Sequence, residues 1–238
     1  MNASWLFIGL FCCITVYFLF RKLTPAGVAA ALVMAITIYA GTGTTGLVLI
    51  GSFFLLGVLA TTFGRHTKAA IGQAAPNKGK RTAGQVFANG GVALLLGAIS
   101  WWLPQYQSTM ILLIACAVSS ATADTISSEL GMVWGKNTFN IITFKKDRRG
   151  ENGVISWEGT AAGVAASGLI AIVYTLFTDW NPQAFLIIIA SGTIGNLADS
   201  YLGATLERKK VIGNNLVNFI NTTVGAITGW LFYHLFKL

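Results

Sequence analysis

Asp124-Thr-Ile-Ser127-Ser-Glu129-Leu-Gly131-Met-Val-Trp-Gly135-Lys136 closes a long apolar run that begins near Ser108. Spacings of three and four put Asp124, Ser127, Gly131 and Gly135 on one face of a helix, with Lys136 just beyond. An acid at the end of a hydrophobic segment costs about 2.5 to 3.5 kcal/mol if it lies at a bilayer centre, so it points to a function with a partner. Small residues, an acid and a cation beside a membrane face suit a magnesium–nucleotide site better than a purely structural helix.

Outward from that stretch the whole chain is apolar. Of its 238 residues 54% are hydrophobic and only 10% charged, and the mean hydropathy is +0.67. A soluble domain carries roughly a quarter of charged residues, so the chain is expected to be an all-α polytopic membrane protein. Taking about 20 apolar residues per crossing, about eight spans can be marked, roughly at 4 to 20, 26 to 41, 45 to 63, 83 to 103, 108 to 130, 159 to 178, 183 to 204 and 216 to 236. No linker divides them, and residues 1–238 are expected to form a single integral membrane domain. The first span lacks a basic segment before it and a small-residue cleavage pattern after it, and is read as a retained helix.

Charge gives the orientation. Fifteen of the 16 Lys and Arg fall in alternate connections: Arg21 and Lys22, the loop near 64–82, the loop near 132–158, and that near 205–215. By the positive-inside rule these connections are cytoplasmic, and the net charge of +8 follows without any nucleic-acid partner. Trp101, Trp102 and Trp180 fall on the opposite side, where tryptophan suits the headgroup belt. Cys12, Cys13 and Cys116 lie in apolar runs with no pair spacing. The 27 glycines let spanning helices approach closely.

In the loop near 132–158, Phe139 to Phe144 and Val154 to Trp157 have strand-like composition, and Gly150-Glu-Asn152-Gly153 between them signals a turn. A small β-hairpin-like loop over the cytoplasmic mouth is expected. Ala198-Asp199-Ser200 echoes Ala123-Asp124-Thr125, and both aspartates should arrive at similar depth. Gly192, Asn196, Asp199 and Gly203 share a face as the Asp124 group does. Gln85 and Asn89 share a face of the fourth span, and Asn218 and Asn221 fall together in the last. These amides either bond across helices as glue or join the aspartates around one polar pocket. Magnesium prefers one or two carboxylates plus substrate phosphates, so Asp124 and Asp199 are the candidate metal ligands. Glu129, five residues past Asp124, faces elsewhere and is a candidate partner for a lysine. Gly131 to Lys136 is not a Walker motif, since only three residues separate the glycines and Asn137 follows the lysine. The basic run Lys145, Lys146, Arg148 and Arg149 is either a solvated or lipid-facing loop or a phosphate clamp.

At these residues the sequence resembles the family of membrane proteins that contains plant phytyl-phosphate kinase. The matching segments are Gly64-Arg-His-Thr-Lys68, Lys80-Arg81-Thr-Ala-Gly84-Gln85-Val-Phe-Ala-Asn89-Gly90, Ala121-Thr-Ala-Asp124-Thr, Gly150-Glu-Asn152-Gly153-Val-Ile-Ser156-Trp-Glu158-Gly159-Thr160, Gly195-Asn196-Leu-Ala-Asp199-Ser and Asn218. A more distant similarity to dolichol kinase and phytol kinase runs through Asp124, Ser127, Gly131, Gly135 and Lys136, and through Ser156-Trp-Glu158-Gly159. The resemblance implies Mg2+ and CTP, or ATP, as phosphoryl donor, and an isoprenoid lipid phosphate as acceptor beside membrane lipids. Asp124, Asp199 and Lys136 would act at the reacting phosphates. Lys68, Lys80, Arg81, Lys145, Arg149, Ser127, Gly131, Gly135, Gly150, Asn152, Gly153, Ser156 and Glu158 would hold the nucleotide and its phosphates. A prenyl alcohol kinase, a CTP-dependent cytidylyltransferase of a lipid phosphate and a small-solute carrier stand as alternatives. The expected setting is a bacterial inner membrane, with the site facing the cytoplasm.

Overall fold

The computed structural model describes residues 15–73 and 79–236. Residues 15–22 are helical; α1 is Pro25–Thr62, α2 Arg65–Ala70, α3 Ala83–Trp102, α4 Gln107–Trp134, α5 Trp157–Phe177, α6 Pro182–Leu202 and α7 Asn214–Phe236. Helix starts are written locally. Thr24 precedes Pro25 and accepts from Gly27 N at 3.1 Å, and Asn181 precedes Pro182 and accepts from Gln183 N and Ala184 N. Thr82 and Gln85 form a reciprocal capping box at α3. Each motif satisfies amide groups that a helix start leaves bare.

Five helical segments are long and apolar enough to cross a membrane: Pro25–Thr62, Ala83–Trp102, Pro104–Trp134, Trp157–Phe177 and Pro182–Glu207. The expected eight-span count is therefore met in part. Much of the first expected span lies outside the described residues. The second and third are joined as α1, whose backbone leaves the helical region at Gly43 (φ 65, ψ −151). The contacts of α1 show that the chain reverses there. A Cβ at Gly27 would meet Arg81 O at 2.8 Å and one at Gly57 would meet Arg81 Nη2 at 2.6 Å, whereas a straight helix would hold those two glycines about 45 Å apart. The carbonyl of Gly41, freed by the break, accepts from Ser100 Oγ at 2.7 Å and Gln107 Nε2 at 2.8 Å. Helix α7 is not among the five, being interrupted by asparagines and threonines, yet it packs on α3, α4 and α6.

Helix α4 is the axis of the bundle and packs against α1, α3, α5, α6 and α7. Small residues make this possible. A Cβ at Gly195 would lie 1.8 Å from Ser120 Oγ, and one at Gly229 2.5 Å from Cys116 Sγ.

The expected hairpin is present but short. Strand β1, Thr138–Asn140, pairs antiparallel with β2, Val154–Ser156, Phe139 opposite Ile155. The expected strand through Phe144 stops at Asn140 because its Oδ1 accepts from Ile142 N at 3.0 Å and Thr143 N at 3.2 Å, and an asparagine turn of this kind competes with the ladder. Ser156 ends β2 and caps α5 by accepting from Gly159 N at 3.1 Å.

Candidate functional site

Asp124 stands on α4 and Asp199 on α6, in the last three turns of each helix. The helices can close on one another because Gly163 of α5 leaves room beside both: a Cβ there would lie 3.0 Å from Ala123 O, Asn196 Nδ2 and Ser127 Cβ. The two carboxyl groups come within hydrogen-bonding reach of each other. Asp199 Oδ1 also accepts from Asn221 Nδ2 at 3.3 Å. Asn221 is held in turn by Ser120, whose hydroxyl donates to its carbonyl at 3.0 Å and to its Oδ1. Ser127 Oγ donates to Asn196 Oδ1 at 2.9 Å. Fixed amides and hydroxyls from three helices therefore surround one carboxylate pair.

The pair faces a cavity of about 630 Å³. Ser127, Gly131, Gln85, Asn89, Asn196 and Asn218 line it as expected, and Gly150, Asn152, Gly153 and Ser156 come from the hairpin loop. Lys22, Arg65, Lys80 and Arg81 bring positive charge to the same space. Arg81 wedges between the two arms of α1, its guanidinium 5.4 Å from the centre of the Phe53 ring. Burial presses its pKa below the ordinary value, and the negative charge of Glu129 opposes the shift.

Several expected members are placed otherwise. Lys68 lines the cavity, yet its ammonium is already engaged, 2.6 Å from Glu129 Oε2 and 2.7 Å from Ala60 O, with only 5% of its side chain exposed. Gly135, Lys136 and Glu158 line a second, neighbouring hollow instead of the cavity that holds Asp124. The reason is the end of α4: its last helical residue is Trp134, and Gly135 turns to ψ 115, so the helical register that groups Lys136 with Asp124 no longer applies. Lys145 is exposed on the hairpin loop and lines neither space. Asn221 stands behind Asp199 as its support and is 1% exposed.

The hairpin loop roofs the cavity and is tied down on two sides. Gln73 Nε2 donates to Gly150 O at 2.9 Å, and Arg208 Nη1 pairs with Asp147 Oδ2 at 2.7 Å. The hydrogen bond from Arg208, followed by that from the backbone amide of Arg148, holds the Asp147 carboxyl below its usual range. Gly153 has φ +75, and a Cβ there would meet Ala204 Cβ at 2.3 Å, so the roof rests directly on the backbone after α6. That backbone, Gly203–Glu207, is a π-turn. It brings Glu207 to the cavity wall, within hydrogen-bonding reach of Asn152 and Asn214. Glu207 and Gln73 are cavity-wall residues that the sequence reading did not single out, and Lys22 and Arg65, read there as topology charges, join them. The one hint was an acid opening the otherwise basic Arg208-Lys209-Lys210 run.

The donors fit magnesium: two carboxylates side by side, with amide and hydroxyl oxygens near and open space for water and phosphate oxygens. Among the described residues no group of three or more His, Cys, Asp or Glu is arranged to cage a metal unaided. Cations around an acid-bearing, polar hollow at a membrane rim can hold a polyphosphate and stabilise charge moving between its oxygens.

The profile described as "Integral membrane protein DUF92" matches residues 8–226. An uncharacterised membrane protein of Methanocaldococcus jannaschii is 36% identical over 219 residues, covering 90% of this chain and 87% of its own. Protein VTE6, chloroplastic, of Arabidopsis thaliana is 30% identical over 215 residues, 88% of this chain and 65% of its own. Phytol kinase of Synechocystis is 26% identical over 117 residues, 49% of this chain and 43% of its own. No solved structure matches. These relatives bear out the family recognised from the motifs around Asp124 and Asp199, and with a profile match from residue 8 to residue 226 the chain belongs to the DUF92 integral membrane proteins.

Proposed function

We propose that the protein is a membrane-embedded prenyl phosphate kinase, of phytyl-phosphate type, which transfers the γ-phosphoryl group of CTP or another nucleoside triphosphate to an isoprenoid monophosphate and releases the diphosphate. The observation that carries this reading is the meeting of Asp124 and Asp199, from separate spanning helices, in one polar cavity beside Lys22, Arg65, Lys80 and Arg81. Similarity to a phytol kinase supports a phosphoryl acceptor of isoprenoid type. We take the chain to cross a bacterial inner membrane eight times, with this cavity on the basic, cytoplasmic side.

Asp124 and Asp199 would hold the magnesium ion, which when bound supplies positive charge to the donor's phosphate oxygens. Arg81 and Lys80 neutralise further phosphate charge. Asn221 keeps the Asp199 carboxylate in place, and the Ser127–Asn196 bond ties α4 to α6 beside the pair. The segment Gly150–Gly153 covers the nucleotide and excludes water that would hydrolyse it. An oxygen of the acceptor phosphate forms the new bond to the γ-phosphorus as the bond to the β–γ bridging oxygen breaks, and the nucleoside diphosphate leaves with that electron pair. An ionised acceptor needs no strong base, in contrast to an alcohol, whose proton must be taken during attack. Catalysis of this kind is positioning and charge stabilisation.

The test is purified protein with magnesium, γ-labelled CTP or ATP, and a panel of prenyl alcohols and monophosphates. Label in a prenyl diphosphate, with the nucleoside diphosphate as co-product, is expected. A CDP-lipid with pyrophosphate would make the protein a cytidylyltransferase. Solute uptake into sealed vesicles without nucleotide turnover would make it a carrier.

A further inference from the structure

Lys136, Glu158, Trp134, Thr138 and Arg149 surround a second, open hollow of about 870 Å³ where α4 ends and α5 begins. Thr138 and Arg149 also line the cavity that holds the aspartates, so these two side chains form the partition between the spaces. Among the described residues Arg149 makes one hydrogen bond, Nη1 to Gly135 O at 3.1 Å. A guanidinium has five N–H donors in a fixed fork, and no other described residue takes the remaining ones, which suits them to a ligand.

The depth of the hollow is set by aromatics. Trp134 is half exposed and packs edge-on to Phe63, with ring centres 5.5 Å apart. Trp157, next to Glu158, is 74% exposed. Indoles exposed at the ends of spanning helices settle at the headgroup level, and these lie on the basic side of the protein. The hollow therefore places two cations and an indole where lipid heads reside. Its charge differs from that of the inner cavity: Lys136 and Arg149 face a lone carboxylate, Glu158, so no carboxylate pair is present to share a metal with a triphosphate. Two cations against one acid match a single phosphate monoester, which carries about −1.5 to −2 charge near neutral pH.

We infer that the outer hollow is the port for the lipid acceptor: Lys136 and Arg149 take the phosphate monoester of a prenyl monophosphate, Trp134 takes the adjoining stretch of its chain, and the inner cavity keeps the nucleotide. The inference rests on the acceptor being a lipid monophosphate, as proposed above, and deepens that reading by separating two subsites. Arg149, exposed to both spaces, is the specificity-determining residue between them. The uncharged prenyl alcohol offers the two cations nothing to hold, so the port favours the monophosphate.

Binding measured directly on the purified full-length protein tests it, by scintillation proximity with labelled prenyl monophosphate and, separately, with labelled CTP and magnesium. Lys136 is exposed and its replacement leaves the fold intact. Lys136→Gln should weaken prenyl monophosphate binding about tenfold, the scale of one lost charge-assisted hydrogen bond, leave CTP binding unchanged, and be rescued by Lys136→Arg. Inorganic phosphate, which lacks the chain, and the prenyl alcohol, which lacks the charge, should each compete only weakly. Wild-type protein that binds no prenyl monophosphate would overturn the port, as would a Lys136→Gln variant that loses CTP and keeps the lipid. Inorganic phosphate binding as tightly as the lipid would make the hollow a free-anion site and overturn it too. Lysine-dependent lipid binding without any phosphoryl transfer would uphold the port while removing the kinase reading.

Discussion

The two halves of α4 share one backbone and differ in nearly everything else. Every residue from Leu112 to Ala123 is buried; from Asp124 to Trp134 none is. The first half is enclosed by neighbouring helices that approach at glycine, as at Gly195, Gly225 and Gly229. In the second half the bundle opens, and the same helix presents Asp124, Ser127 and Gly131 to a polar cavity. Burial stops at the residue that opens onto the polar cavity. The lesson is that the tightly packed half serves as a rigid mount, which fixes Asp124 against Asp199 without a cage of further ligands.

The contrast can be broken by substitutions that act on one half alone. Asp124→Asn should lower phosphoryl transfer on the order of a thousandfold and leave the thermal midpoint in detergent nearly unchanged; equal turnover would remove Asp124 from the reaction. Gly195→Val reverses the pattern. Its side chain has no space beside Ser120, and overpacking of this kind costs about 1 to 3 kcal/mol, so the midpoint should fall while turnover of the folded fraction holds. A collapse of turnover at constant midpoint would show that the two halves are not separable. Gly153→Ala probes the roof. A residue with a side chain is strained at φ +75, at a cost of roughly 1 kcal/mol or more, and its Cβ would press on the backbone of Ala204, so the nucleotide KM should rise severalfold and the midpoint should fall with it.

Asp147→Asn has the smallest expected effect, since the Asp147–Arg208 pair is open to solvent. Its sign with pH is set by the lowered carboxyl pKa. Whatever the pair contributes is complete above the ordinary carboxylate range and fades as pH falls through the lower folded-state value. The protection of residues 145–153 against hydrogen exchange, taken relative to the intrinsic rate at each pH, should fall over that acid window in the wild type and be already lower at neutral pH in Asp147→Asn.

Much of this arrangement could be read from residues alone, for physical reasons. Helical spacing grouped Asp124 with Ser127 and Gly131, and Asp199 with Asn196, and it holds because both groups lie inside unbroken helix. It failed at Lys136, one residue past the cap, where the backbone turns away. The turn at Gly150–Gly153 was visible as glycine pairs, and both glycines have positive φ. Long-range pairing was less legible. Composition left open which lysine would meet Glu129, and Lys68 does so from 61 positions away in sequence. Glu207 was hidden because a π-turn, which no periodicity signals, carries it to the cavity wall.

The reversal at Gly43 bears on how the protein is made. Two apolar helices joined through a single residue have no slack between them, since one residue spans at most about 3.6 Å of extended chain. Neither arm can be released into lipid while the other waits in the insertion machinery. Residues 25–62 are expected to enter the bilayer together, as one wedge whose interior face is set by the turn at Gly43.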